Sequence, residues 1–169
     1  MRNRVRRIIH PSDFSAASAP AFATAVRSAK VNGAELLLIH VLAPIAPVVD
    51  ESFLSPTLQR AVREQGQKQL DQLMVKARKA GARARALLME GTPAEQIVLT
   101  AKFERTDLIV MGTHGRTGLA KFFLGSVAER VVSGAPCPVL TVRGDQTAAA
   151  TAQDSRRERS TRLRKRRVA

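Results

Sequence analysis

Short apolar runs recur along this chain with amphipathic stretches between them, and that alternation leaves little room for any fold but a parallel sheet covered by helices. Residues 5–10, 36–41 and 108–111 are read as strands buried on both faces, from the apolar runs Ile8-Ile9, Leu36–Ile39 and Leu108–Met111. Residues 83–89 alternate Arg with Ala before turning apolar, which predicts an edge strand, and 139–142 is a short β-branched run behind Pro138. Helical patterns fill the gaps. An Ala-rich stretch at 18–31 is closed by Gly33, with Pro20 tolerated in its first turn. A second helix is predicted over 56–80, with Leu58, Val62, Leu70, Leu73 and Ala77 on one face, Gly66 weakening its middle and Gly81 at its end. Thr92, Pro93 and Glu95 spell a capping box that opens a third helix, and a fourth follows Gly125.

The resulting β-α-β-α-β-α-β-α-β order predicts an α/β fold: a three-layer, doubly wound, five-stranded parallel sheet of order 3-2-1-4-5. Ligands of such sheets bind beyond the carboxyl ends of the strands where the order reverses, here between the first and fourth strands. The segments that follow those strands are 11–15 and 112–126, and a Pro-punctuated loop at 44–56 is a candidate cover for the same crevice. One domain is expected over 1–143. From 144 to 169 the composition turns to Ala, Thr and Gln and then to Arg, with few large apolar residues to offset the entropy of ordering, so a disordered basic tail is expected.

A single cysteine, Cys137, excludes an internal disulfide and a zinc-finger site and fits a reducing compartment. The run 36–39 ends at His40, too short to span a bilayer, and the basic N-terminus lacks the apolar stretch of a signal peptide, so a cytoplasmic protein without membrane insertion is expected. The formal charge of +14 points to anionic partners.

The chemistry concentrates at Met111-Gly112-Thr113-His114-Gly115-Arg116-Thr117-Gly118, directly after the fourth strand, and at Gly125-Ser126, which opens a helix. Glycines let backbone N–H groups converge on an anion, and a helix N-terminus adds unpaired donors and partial positive charge, so the layout suits phosphate. Arg116 and Lys121 can add charge. The spacing Gly112-x2-Gly115-x9-Gly125-Ser126 resembles the glycine motif of the ATP-binding branch of the universal stress protein family. The opening Ile8-Ile9-His10-Pro11-Ser12-Asp13-Phe14-Ser15 and the closing Pro136-Cys137-Pro138-Val139-Leu140-Thr141-Val142 are similar to that family's first and last strands.

The resemblance implies an adenine nucleotide alpha hydrolase-like fold and a site for ATP, with Mg²⁺ held mainly by phosphates and water. It assigns Pro11 and Asp13 to the ribose or adenine side and the Val41 backbone to the adenine edge. Met111, Gly112, Thr113, His114, Gly115, Arg116, Gly125, Ser126 and Val127 are then expected around the ribose and phosphates. It also implies a homodimer paired through Val139, Leu140, Thr141 and Val142, and a nucleotide-responsive regulator or adaptor in stress response.

Several of these residues carry a second reading. Asp13 suits a turn or N-cap as well as a ribose hydroxyl, and Ser126 begins a Ser-x-x-Glu capping box that competes with phosphate contact. His10, His40 and His114 sit in three segments that meet near the strand ends, which invites a metal site, although His10 and His40 also fit as satisfied polar residues. Cys137 reads as a small packed residue. No Gly-x-x-x-x-Gly-Lys-Ser/Thr loop or other catalytic set is present, so at most slow hydrolysis is expected. The Arg-rich part of the tail, 157–167, is a candidate for binding nucleic acid or another polyanion independently of nucleotide.

Overall fold

The computed structural model describes residues 4–43, 55–113 and 124–144. Five strands, β1 (Arg7–Pro11), β2 (Glu35–Leu42), β3 (Arg83–Glu90), β4 (Leu108–Gly112) and β5 (Val139–Val142), alternate with α1 (Ala19–Asn32), α2 (Pro56–Lys79), α3 (Pro93–Phe103) and α4 (Ser126–Gly134). All neighbouring strands are parallel and the sheet order is β3-β2-β1-β4-β5, the 3-2-1-4-5 order expected from the sequence.

The continuous apolar runs are explained by the two cores. Ile8, Leu36, Leu38 and Val110 pack with Ala25 and Ala29 of α1 and Leu70 and Ala77 of α2, whereas Ile9, Leu37, Ile39 and Ile109 pack with Ile97 and Ala101 of α3 and Ala128 and Val131 of α4. Because successive strand residues point to opposite faces, each of β1, β2 and β4 supplies both cores and has no room for a polar face. β3 lies at the sheet edge, and this explains its Arg content.

Helix ends follow local chemistry. Gly33 closes α1 with φ of 59°, and the Ala34 N–H donates to the Ala29 carbonyl at 2.8 Å, the paired bonding that a left-handed glycine allows. Ser55 caps α2 by accepting from the Leu58 N–H at 3.3 Å. The capping box expected at Thr92 is not made. No side-chain cap bond forms there, and α3 starts on the fixed φ of Pro93 and on the Thr92 carbonyl, which accepts from the Gln96 N–H at 3.0 Å.

α2 departs from the sequence reading in two ways. Leu58 and Val62, assigned to the packed face, are 48% and 38% exposed, whereas Leu70 and Ala77 are fully buried, so only the later part of this 24-residue helix lies firmly on the sheet. Gly66, read as a weak point, is buried: a Cβ there would lie 3.2 Å from Leu42 Cδ2 and 3.4 Å from Leu88 Cδ1. Its missing side chain lets the helix approach β2 and β3, and the propensity cost is incurred for packing.

Candidate functional site

β2 runs past its partner. The last β1–β2 pair is Pro11 with Ile39, and the Ser12 N–H donates to the Ile39 carbonyl at 2.9 Å, after which β1 turns away while β2 continues through Val41 and Leu42. On the other side β4 carries on beside β5 to Gly112 paired with Val142. The sheet therefore opens between β1 and β4 at its carboxyl end, as a doubly wound order requires.

A cavity of about 480 Å³ fills this opening. Its walls include Pro11, Ser12 and Asp13 after β1, Ile39, His40, Val41 and Ala43 from β2, Met111, Gly112 and Thr113 from β4, Pro93 and Ile97 of α3, and Gly125 through Ala128 at the start of α4. The size falls in the range of small-molecule sites, and a mainly apolar wall with a few polar groups suits a purine attached to a charged chain.

The loop that begins at Thr113 and ends at Gly125 is anchored at its base. The Thr113 N–H donates to the Val142 carbonyl at 3.1 Å, and the Gly125 N–H donates to the Thr113 carbonyl at 2.8 Å. Both ends of the glycine motif thus meet where α4 begins. Gly125 has φ of −62° and ψ of 151°, a conformation open to any residue, so backbone geometry does not require glycine there. The remaining reason is space: without a Cβ, the first-turn amides of α4, which have no acceptor within the helix, can be approached closely.

Ser126 is the first residue of α4, with Gly125 in the N-cap position and no side-chain cap bond. The Glu129 N–H instead donates to the Gly125 carbonyl at 2.9 Å, so the capping-box reading of Ser126 does not hold. The residue borders the cavity at the positive end of the helix dipole.

Asp13 combines its two readings. Its Oδ1 accepts from the Ser15 N–H at 3.0 Å and the Ser15 hydroxyl at 2.7 Å, building an Asx turn, and the residue also lines the cavity. The turn holds Phe14 at φ of 62°, a left-handed conformation that costs a non-glycine residue about 1 kcal/mol. The Phe14 N–H donates to Ser12 Oγ at 3.1 Å, and its ring centroid lies 4.2 Å from that of His40.

The histidines part company. His40 reaches the cavity wall while its Nδ1 hydrogen-bonds the Ser12 carbonyl at 2.7 Å. His10 is on the α1 side of the sheet, fully buried beside Phe22, with Nδ1 2.8 Å from the Val110 carbonyl and Nε2 without a hydrogen-bond partner among the described residues. Burial pushes its imidazole down to about 4 from the ordinary 6.5, against smaller opposing effects of the Val110 carbonyl and Asp13. No group of three or more metal-ligating side chains occurs among the described residues. Cys137 packs against the α3–α4 core, and burial pushes its thiol up, away from the reactive thiolate.

Nine of the twelve residues singled out from the sequence border the cavity: Pro11, Asp13, Val41, Met111, Gly112, Thr113, Gly125, Ser126 and Val127. His114, Gly115 and Arg116 lie outside the described residues, as do Lys121, most of the proposed cover 44–56 and the basic tail. Ser12, Ser18, Ile39, Ala43, Pro93, Ile97 and Ala128 were not foreseen as wall residues. Ser12 alone carried a signal, being a small polar residue between the first strand and Asp13. No helix among the described residues is long and apolar enough to cross a membrane.

Known proteins resemble this chain in sequence and fold. The universal stress protein MJ0531 of Methanocaldococcus jannaschii is 38% identical over 143 residues, covering 83% of this chain and 84% of its own. The solved structure of MJ0577 from the same organism superimposes with a TM-score of 0.74 at 29% identity, over 82% of this chain and 96% of that one. A universal stress protein solved in complex with cAMP shares the fold at 22% identity, with a TM-score of 0.66 over 85% of this chain and all of that one. Residues 4–143 match the profile of the universal stress protein family, spanning every strand and helix described above, and the chain belongs to that family.

Proposed function

We propose that this chain binds ATP in the cavity between β1 and β4 and works as a nucleotide-responsive regulator or adaptor in the cytoplasmic stress response. The observation that carries the reading is the meeting of Thr113 and Gly125 at the start of α4, on the rim of a cavity of about 480 Å³. The first-turn amides of α4 suit phosphate oxygens, the apolar wall of Ile39, Val41 and Met111 suits a purine, and the Asp13 carboxylate suits ribose hydroxyls. The bound cAMP of the related structure is an adenine nucleotide of the same kind.

With no metal-ligating cluster among the described residues, Mg²⁺ would enter on the phosphates and keep water as its other ligands. This chain's own contribution is to hold and orient the nucleotide. The sequence carries no Gly-x-x-x-x-Gly-Lys-Ser/Thr loop, and hydrolysis at most slow is expected.

β5 is the last strand of the sheet, pairs only with β4 among the described residues, and exposes Leu140. An open apolar edge of this kind favours pairing with a second copy through Val139 to Val142, which would join two nucleotide sites in one particle.

The test is a calorimetric titration with Mg·ATP of the parent protein and of Gly125→Val. The substituted backbone is unstrained, so the fold should survive while a branched side chain blocks the amides. The parent is expected to bind and the variant to lose at least about tenfold in affinity, equivalent to about 1.4 kcal/mol. Equal, weak binding by both proteins would remove the reading, and turnover no faster than a buffer blank would remove slow hydrolysis.

A further inference from the structure

In a parallel sheet all strands begin at one end, and the helices that precede them finish there too, so the end opposite the cavity collects helix C-termini, connecting loops and strand starts. Charge is distributed unevenly between the two ends. Among the described residues, eleven Lys or Arg and three Asp or Glu lie in the last turns of α1 to α3, the loops that follow, the segment before β1 and the first three positions of the strands. Elsewhere six cations face six carboxylates. The whole positive surplus of the described residues is therefore at the amino end.

Nor do the three carboxylates cancel it. Glu35 and Glu104 are both paired to Arg85, and Asp107 accepts from the backbone N–H groups of Arg6 and Arg7 at 2.8 and 2.9 Å. Arg4, Lys30, Lys79, Arg83, Lys102 and Arg105 are exposed and make no ion pair among the described residues. Part of this group is drawn together: Arg4 Nε donates to the Asn32 carbonyl at 3.3 Å, Arg83 Nη2 to the Gly33 carbonyl at 2.6 Å, and Lys30 lies against Gly81. Favourable placement at helix C-termini accounts for some of the lysines. It does not account for the apolar residues beside them.

The two most exposed large apolar side chains of the described residues are Phe103 at 88% and Val31 at 81%; every other one is below 50%. Both are at this same end, Val31 next to Lys30 at the close of α1 and Phe103 next to Lys102 at the close of α3. α1 and α3 cover opposite faces of the sheet, so the apolar tips stand on the two outer layers with the cations around and between them.

We infer that the amino end of the sheet is a docking face for an anionic lipid bilayer. Cations near such a surface are attracted by its negative potential, and two protruding apolar side chains on a broad end can enter the headgroup boundary together. A nucleic acid partner would share the charge complementarity but would gain nothing from Val31, which has no ring to stack on a base. The described chain ends after β5, at the opposite end of the sheet from this face.

Sedimentation of the full-length protein with vesicles tests this, using phosphatidylcholine alone and phosphatidylcholine mixed with phosphatidylserine, beside binding to a labelled single-stranded oligonucleotide. The parent is expected to sediment with the phosphatidylserine vesicles only. Lys79→Gln with Lys102→Gln should weaken that binding roughly thirtyfold, and Val31→Ser with Phe103→Ser about tenfold, the second pair leaving oligonucleotide binding unchanged. All four residues are exposed, and unchanged thermal unfolding by circular dichroism would certify both variants as folded. The inference is overturned if the parent ignores the anionic vesicles, or if either pair of substitutions leaves vesicle binding at the parental level. It is also overturned if the lysine pair weakens oligonucleotide binding alone.

Discussion

Acid is expected to destabilise this protein through His10 before most of its carboxylates titrate. The imidazole is fully buried, its Nε2 has no partner among the described residues, and its folded value is about 4 against an ordinary 6.5. The folded state thus resists a proton that the unfolded chain accepts. The sign follows: stability is complete above about pH 6.5, falls as pH drops because the unfolded state binds more protons, and levels off below about pH 4. A shift of that size corresponds to about 3 kcal/mol in all, with roughly a third to a half already lost near pH 5.5 and most of it by about pH 4.5. With neither Trp nor Tyr in the chain, urea unfolding is best followed by far-ultraviolet circular dichroism at a series of pH values. The comparison is with His10→Asn, whose amide can still donate to the Val110 carbonyl but does not titrate. The parent should lose about 2 kcal/mol more than the variant between neutral pH and about pH 4.5. Parallel pH profiles for the two proteins would refute the reasoning, because the carboxylates they share would then account for all of the acid sensitivity.

Two further substitutions examine packing and capping. Gly66→Val should destabilise by about 1 to 3 kcal/mol, read from the urea midpoint, because the added atoms meet Leu42 and Leu88, whereas Gly66→Ala should be nearly neutral if Leu42 yields by a few tenths of an ångström. Ser126→Ala should change the melting temperature little, with a cost under about 0.5 kcal/mol, since this residue is not the N-cap; a loss near 1 kcal/mol would reinstate the capping role.

The sheet was legible because its strands are written in a form that allows few alternatives. The runs at 36–41 and 108–111 have no polar side, so both faces had to be covered, and β3 announced its edge position by tolerating Arg83 and Arg85. The crevice followed from strand order alone. What could not be read depends on how far one element extends past another. Leu58 and Val62 fit the helical period of α2 as well as Leu70 does, and only the placement of the helix against the sheet leaves them half exposed. Gly66 was misread for the same reason: helix propensity is local, while the proximity of Leu42 and Leu88 is tertiary. Ser126 carried the right letters for a cap one position too late. Charge was visible in total but not in direction, because Lys30, Lys79, Arg83, Lys102 and Arg105 are scattered along the chain and meet only when parallel strands bring their starting points together.

The hydrogen bond from Gly125 to Thr113 has a consequence for change over generations. Chain closure between these residues is settled when the domain folds, by β4, β5 and α4, so substitutions or length changes between them need not dislodge either end. Doubling the length of such an excursion costs only about 0.6 kcal/mol. The two fixed points can therefore keep their places while sequence between them changes, so the scaffold does not depend on that segment.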